Sequence, residues 1–383
     1  MSLLEQPPTH PAVEGSQMPG RTPAAEVDPP SRSVHERALR VFVLTNMWPN
    51  EAYPSYGVWI ESQMRSLAPR RVSLRVHFVN GHKSRRAYLR SAFRMVRLNF
   101  EAVRYDVVHA QSGYSGALAL LQRRIPVLTS FMGSCDLLGD PGADWRVPVK
   151  SRVETAIFRQ MSRWFDGTIT MSAEMERALP ASVRARNSVL PHGVDRSLFR
   201  PIPQTGARER LGWSHADPIV LFVGHTENKR FDLAVKAVAL ARAEYPNLQL
   251  KQCAHVPQPE VPLWMNAADV LVVTSNVEGS PNMVKEAMAC NLPIVSVDVG
   301  DVRDVIEGTR RCRIAERDPQ ALADALCEVL MDAPQRTDGR SRSEHLALPA
   351  IADRLVSIYH TTAEARTSRA VELPRTRRGQ VRR

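Results

Sequence analysis

The chain lacks the features that mark a membrane-spanning, disulfide-framed or nucleic-acid-binding protein. No apolar run approaches the ~20 residues that a spanning helix needs, and the Pro-rich start has no apolar segment of the signal-peptide kind. Cysteine is scarce, with five residues at positions 135, 253, 290, 312 and 327. Their number is odd and no C-x-x-C pair occurs, which argues for a reducing cytosol and against a disulfide frame or a zinc site. Aromatics make up only 6%, and they are not interleaved with basic groups as stacking platforms for nucleic acid would be. Acidic residues are outnumbered, for a net charge of +11. That excess is local: roughly +6 lies between Lys83 and Arg104 and roughly +6 after Ala365, with the remainder close to neutral.

What is present is ample material for cores. The chain has 383 residues, 43% of them hydrophobic, enough for two domains of ordinary size. Residues 1–36 are rich in Pro, Ser, Thr and Ala and read as disordered. Short apolar runs then alternate with helical patterns, as parallel sheets with crossover helices require. Strands are expected at Leu39 to Thr45, Arg71 to Val79, Tyr105 to Ala110, Pro126 to Phe131 and Asp166 to Ser172. A second series falls at Pro218 to Gly224, Asn247 to Cys253, Asp269 to Thr274 and Pro293 to Val297. The fold class is α/β with two doubly wound domains. The expected divisions are 37–200, 201–347, a closing helix at 348–365 and a basic disordered tail at 366–383.

Residues Val277 to Val299 form the centre of the chain's chemistry. A buried strand leads into a polar turn and a helix, with Ser280 as its N-cap and Pro281 at its first position. Met283, Val284, Ala287 and Met288 give that helix an inward face. A helix start at the carboxyl edge of a parallel sheet is a place for anions. Glu278 lies in the turn and Glu286 two turns into the helix. Carboxylates repel phosphate but accept hydrogen bonds from sugar hydroxyls, so one reading is a nucleotide-sugar site. The other is a Glu favoured by the helix dipole and a second Glu in solvent. Lys229 and Arg230 stand at another helix start after a strand, either as a diphosphate clamp or as two solvated charges. Earlier in the chain, Leu89, Phe93, Val96, Phe100 and Val103 fall on one helical face, flanked by Arg86, Arg90, Arg94, Arg97 and Arg104. That pattern suits an anionic membrane surface, or a helix docked on its own sheet with a solvated Arg face.

The run Glu278-Gly-Ser-Pro-Asn282, then Glu286-Ala-Met-Ala-Cys290, Leu292-Pro293 and Asp298-Val-Gly300 resembles the Glu-x7-Glu signature of retaining glycosyltransferases of family 4. The resemblance spans roughly Leu39 to Tyr359. It implies the GT-B fold, two Rossmann-like doubly wound domains facing a cleft, with the acceptor on the first and the donor mainly on the second. By that resemblance Glu286 holds the donor ribose, Glu278 faces the transferred sugar, and the backbone of Gly279, Ser280, Pro281, Asn282 and Met283 meets sugar and diphosphate. Gly224, Lys229 and Arg230 belong to the same donor site. Glu278, Lys229, Arg230 and His109 are the catalytic candidates, and Gly57 is the candidate of the first-domain acceptor or phosphate loop; a Gly that merely permits a turn is the other reading.

The sequence departs from the family in four places. Gln111 stands where related enzymes often carry a second histidine two residues after His109. Met132 replaces a usual histidine. His225 replaces a usual arginine, with Arg230 in place of a glycine, so that Arg230 is expected to supply the missing cation. His192 replaces the usual Asn of the interdomain linker. The implied function is retaining transfer from a UDP- or GDP-linked sugar to a saccharide or polyprenyl-linked acceptor in cell-surface polysaccharide synthesis. The place implied is the cytoplasm, at the inner membrane face. No cofactor is expected, and no divalent metal, because no Asp-x-Asp lies at a plausible position. A catalytically silent nucleotide-sugar-binding protein and a GT-B-like epimerase remain as alternatives.

Overall fold

The computed structural model describes residues 38–53, 56–81, 83–102, 104–140, 148–331 and 335–372, with side chains described as far as 365. The expected N-terminal disordered segment and residue Val103 of the apolar seam lie outside that range. So does the tail after 372.

Eleven strands occur among the described residues, numbered here in chain order: β1 Leu39–Thr45, β2 Val72–Phe78, β3 Val107–Gln111, β4 Val127–Phe131, β5 Gly167–Thr170, β6 Asn187–Val189, β7 Ile219–Val223, β8 Gln249–Cys253, β9 Val270–Val273, β10 Ile294–Val297 and β11 Cys312–Ala315. They form two sheets, ordered β2-β1-β3-β4-β5-β6 and β11-β10-β9-β7-β8, and every pairing is parallel. Helices cover both faces, so the central strands carry unbroken apolar runs. Val41, Phe42, Val43 and Leu44 of β1 and Val270 to Val273 of β9 are buried on both sides.

Strand order dictates where a ligand can sit. In the first sheet β1 has β2 on one side and β3 on the other; in the second β7 lies between β8 and β9. At such a reversal the flanking crossovers leave to opposite faces and open a crevice at the carboxyl ends of the strands. The loops after β1, β7 and β9 are therefore the ones positioned to bind.

The domains are joined by two crossings that run side by side. Val194 N–H donates to the Leu346 carbonyl at 2.9 Å, and Leu348 N–H donates to the Val194 carbonyl at 3.0 Å. The final helix then returns to the first domain, where Ile351, Ala352, Leu355 and Tyr359 are fully buried in its core. This helix runs over Leu348–Glu372, past the expected end at 365. The residues concerned include Glu, Arg and Ala, all good helix formers, so the pattern has no reason to stop there.

The basic helix spans Arg86–Leu98, but it does not dock by its apolar seam. Ser91, Met95 and Leu98 face the protein. Leu89 (72% exposed), Phe93 (71%), Val96 (41%) and Phe100 (82%) are left in solvent. The expected docked helix with a solvated Arg face is present, with Arg86, Arg90 and Arg97 outside, but its apolar seam is left outside as well. The narrower stripe of Met95 and Leu98 suffices for packing.

Candidate active site

The loops after β1, β4, β7 and β9 enclose a cavity of about 580 Å³ between the domains, the size expected of a small-molecule site. Met47, Val58, Trp59 and residues 132–135 supply its first-domain wall. Gly224, Lys229, Glu278, Gly279, Ser280, Pro281, Asn282, Met283 and Glu286 all line the opposite wall.

The wall on the second domain is assembled by short polar stitches. Asn228 Nδ2 donates to the Val277 carbonyl at 2.8 Å, and Thr274 Oγ1 donates to the Lys229 carbonyl at 2.8 Å. These bonds hold the loop after β7 against the loop after β9. Lys229 Nζ consequently reaches Glu278 Oε1 at 2.6 Å. A cation and a carboxylate from two loops thus share one point in the cleft. Gly224 is left-handed at φ 127°, and a Cβ there would stand 3.0 Å from Lys229 Cγ. Its lack of a side chain leaves the lysine its path.

The signature helix spans Asn282–Ala289, so it begins later than expected. Pro281 is the N-cap residue, and no side chain caps the end. Ser280 instead serves a different group: Lys285 Nζ donates to Ser280 Oγ at 3.1 Å and to the His192 carbonyl at 2.9 Å. The Ser280 hydroxyl bonds Asp301 in turn. The first residues of this uncapped helix, Asn282 and Met283, line the cavity, so its positive end lies at the cavity wall.

Lys285 was not among the sequence candidates. It is 1% exposed, and burial drives its ammonium down to about 8 against the pull of Asp301 and Glu286. It ties the helix that carries Glu286 to the interdomain crossing. The one signal in the sequence was a lysine directly after the inward-facing Met283 and Val284. Glu286 itself is partly open to the cleft yet walled by protein. Burial pushes its carboxyl up to about 7, opposed by Lys285 and Lys229.

Two catalytic candidates are not brought to the cavity. His109 is 1% exposed, with Tyr359 Oη 2.8 Å from Nδ1 and Ser130 Oγ 2.7 Å from Nε2. Burial holds its ring neutral, at about 3. It is a strut joining β3, β4 and the returning helix, and its strand faces the core rather than the cleft. Arg230 turns away as well: its Nε and Nη2 donate to Asp232 at 2.8 and 2.9 Å, and it is absent from the cavity lining. Its backbone is left-handed at φ 56°, the conformation that a glycine adopts most easily. The expected replacement of His225 by the Arg230 cation is therefore not what this geometry contains. His225 lines the cavity, with its ring 4.4 Å from that of His255.

Gly57 does not line the cavity either, but it is required beside it. Its φ is 80°, and a Cβ would come within 2.6 Å of the Met47 carbonyl carbon. The turn places its neighbours Val58 and Trp59 in the wall. Met132, in place of the usual histidine, does face the cavity. Gly279 sits where the domains touch, since a Cβ there would be 2.9 Å from Met175 Sδ of the first domain. Among the described residues no group of three or more His, Cys, Asp and Glu side chains is arranged to hold a metal ion.

The cleft between the two domains thus carries an open helix start, a lysine and two carboxylates on one wall. Residues 31–198 match the family described as Glycosyltransferase Family 4, and residues 217–332 match Glycosyl transferases group 1. The chain is a glycosyltransferase of the GT-B type. Its relatives include D-inositol 3-phosphate glycosyltransferase of Thermobispora bispora, 28% identical over 71% of this chain and 74% of the relative. A namesake from Catenulispora acidiphila is 28% identical over 68% of this chain and 73% of the relative. Among solved structures, sucrose-phosphate synthase from Thermosynechococcus elongatus superposes with a TM-score of 0.67 at 18% identity, over 87% of this chain and all of that one. Anabaena HepE, solved in complex with UDP and glucose, superposes with a TM-score of 0.58 at 14% identity over 87% of this chain and all of that one. At these identities the structural likeness speaks for the fold.

Proposed function

We propose that this chain transfers a sugar, with retention of anomeric configuration, from a UDP- or GDP-linked donor to a hydroxyl of a saccharide acceptor in cell-surface polysaccharide synthesis. The observation that carries the reading is the placement of Lys229, Glu278, Glu286 and the uncapped helix start on one wall of a single cleft. The helix start and Lys229 suit a diphosphate, whose charge grows as it leaves. Glu286 suits ribose hydroxyls, and Glu278 the hydroxyls of the transferred sugar. With His109 and Arg230 turned elsewhere, the leaving phosphate itself takes the acceptor proton on the front face. No divalent metal enters this scheme.

The acceptor side of the cleft is uncharged: among the described residues, none of its first-domain lining is Lys or Arg. This favours a neutral hydroxyl at the reacting end, with any lipid phosphate held further away. The named relatives support a second reading, an inositol phosphate acceptor, which would require cations near that wall. The exposed seam of Leu89, Phe93, Val96 and Phe100, flanked by Arg86, Arg90 and Arg97, fits peripheral attachment to an anionic inner membrane face, each basic group adding roughly 1 kcal/mol.

The test is a donor panel of UDP- and GDP-sugars, with oligosaccharide or inositol phosphate as acceptor and EDTA in parallel. Transfer to an oligosaccharide, insensitive to EDTA and with the donor's anomeric configuration kept in the product by NMR, is expected. Donor binding without transfer or hydrolysis would favour a silent binding protein. Epimerised nucleotide-sugar without acceptor would favour the epimerase.

A further inference from the structure

One group at the cleft is left over by this scheme. His192 lies on the first interdomain crossing, lines the cavity and is 4% exposed. Neither of its ring nitrogens has a hydrogen-bond partner. Burial, with the Lys285 ammonium nearby, holds the ring neutral. Its ring stands 6.4 Å from that of Trp59 on the first-domain wall, and its carbonyl is the one that Lys285 bonds on the second domain. It therefore sits where first-domain wall, hinge and donor helix converge.

Buried polar atoms in a stable fold are nearly always paired, and each one left unpaired is a cost to the folded state. Two on one ring, at the edge of a cavity, call for a missing partner. A neutral imidazole offers one N–H donor and one lone-pair acceptor. A hydroxyl offers the same two functions in complement. A phosphate would satisfy only the donor, and an apolar group neither. Asn282 Oδ1, also on the cavity wall, is likewise buried and unpaired. Its need is for a donor, which a second hydroxyl would meet.

We propose that His192 is a substrate-contact residue that binds a sugar hydroxyl drawn between the domains. The ring reaches it by a rotation about its side-chain torsions or a small movement of the crossing that carries it. The inference rests on the transferase reading and adds to it a contact that neither Glu278 nor Glu286 provides. The hydroxyl belongs either to the transferred sugar or to the acceptor, and the two sources separate in the assay.

The test compares native protein with His192→Leu, which removes both functions, and His192→Asn, which keeps a donor and an acceptor. Thermal shifts are measured with UDP, UDP-glucose, GDP and GDP-mannose, and rates against donor and acceptor concentration. The ligand-free His192→Leu protein should melt no lower than native, because it loses unpaired atoms rather than bonds. The shift from nucleotide alone should be unchanged. A hydroxyl on the transferred sugar predicts that the additional shift from the nucleotide-sugar disappears and that kcat/KM for the donor falls at least tenfold. A hydroxyl on the acceptor predicts unchanged donor shifts and a tenfold or greater rise in acceptor KM. His192→Asn should recover part of the loss in either case. Native-like kinetics and shifts in His192→Leu would overturn the proposal, as would a lower melting temperature accompanied by native-like kinetics. A native protein that neither binds nor turns over any probe would overturn the transferase reading beneath it instead.

Discussion

Glu286 should make this protein's stability and its affinity for donor respond to pH in opposite directions. Its carboxyl is raised from the ordinary 4.5 to about 7. Between those values the folded protein holds a proton that the unfolded chain releases. Stability from this group is therefore full below pH 4.5 and is lost as pH rises through 7. The difference corresponds to at most ~3 kcal/mol, and water in the open cleft lowers it. Ribose hydroxyls need the ionised form as their acceptor, so affinity for UDP or GDP should climb over the same interval. Glu286→Gln keeps the shape and removes the titration. Melting temperatures of both proteins from pH 5 to 8 should diverge as pH rises, with the variant the more stable at pH 8. For domains of this size each kcal/mol is roughly 2–4 °C. Saturating nucleotide, which adds ~2.7 kcal/mol at 100 times its dissociation constant, should shift the native protein but not the variant. Parallel pH profiles for native and variant, or an equal nucleotide shift in both, would refute the assignment of Glu286.

Three further outcomes are expected. Lys229→Met removes the partner of Glu278 and the cation nearest the helix start; kcat/KM for donor should fall at least a hundredfold, about 2.7 kcal/mol of transition-state stabilisation, in initial-rate assays. His109→Gln disturbs bonds to Tyr359 and Ser130 and should cost ~1–3 kcal/mol of stability in denaturant titrations, while kcat per folded molecule stays native. Phe93→Ser with Phe100→Ser should abolish sedimentation with anionic vesicles and leave the melting temperature unchanged, since both side chains are exposed.

Much of the fold was legible because parallel strands buried on both faces write themselves as apolar runs. Nine of the strands were anticipated to within a few residues, the exceptions being β6 and β11. Asn187–Val189 is a three-residue edge strand inside what reads as a linker, and Cys312–Ala315 is interrupted by Arg313. The cavity wall from Gly279 to Glu286 was legible for the same local reason, a strand, a turn and a helix in sequence. Side-chain direction was not. The choice of Arg230 between cleft and Asp232 depends on its left-handed backbone, and the role of His109 depends on Tyr359, which arrives from the far end of the chain. The linker histidine and Lys285 meet only through tertiary folding, so the sequence could show each residue but not their contact.

The paired crossings at Val194 and Leu348 have a mechanical consequence. Two separate tethers would let the domains slide, twist and part. Two tethers bonded to each other act as a single pivot, about which one degree of freedom, opening and shutting, is easiest. Lys285 extends from the helix Asn282–Ala289 to the His192 carbonyl, two residues before that pivot. A ligand that draws on this helix therefore pulls close to the fulcrum, where a small displacement becomes a large travel at the cleft's rim.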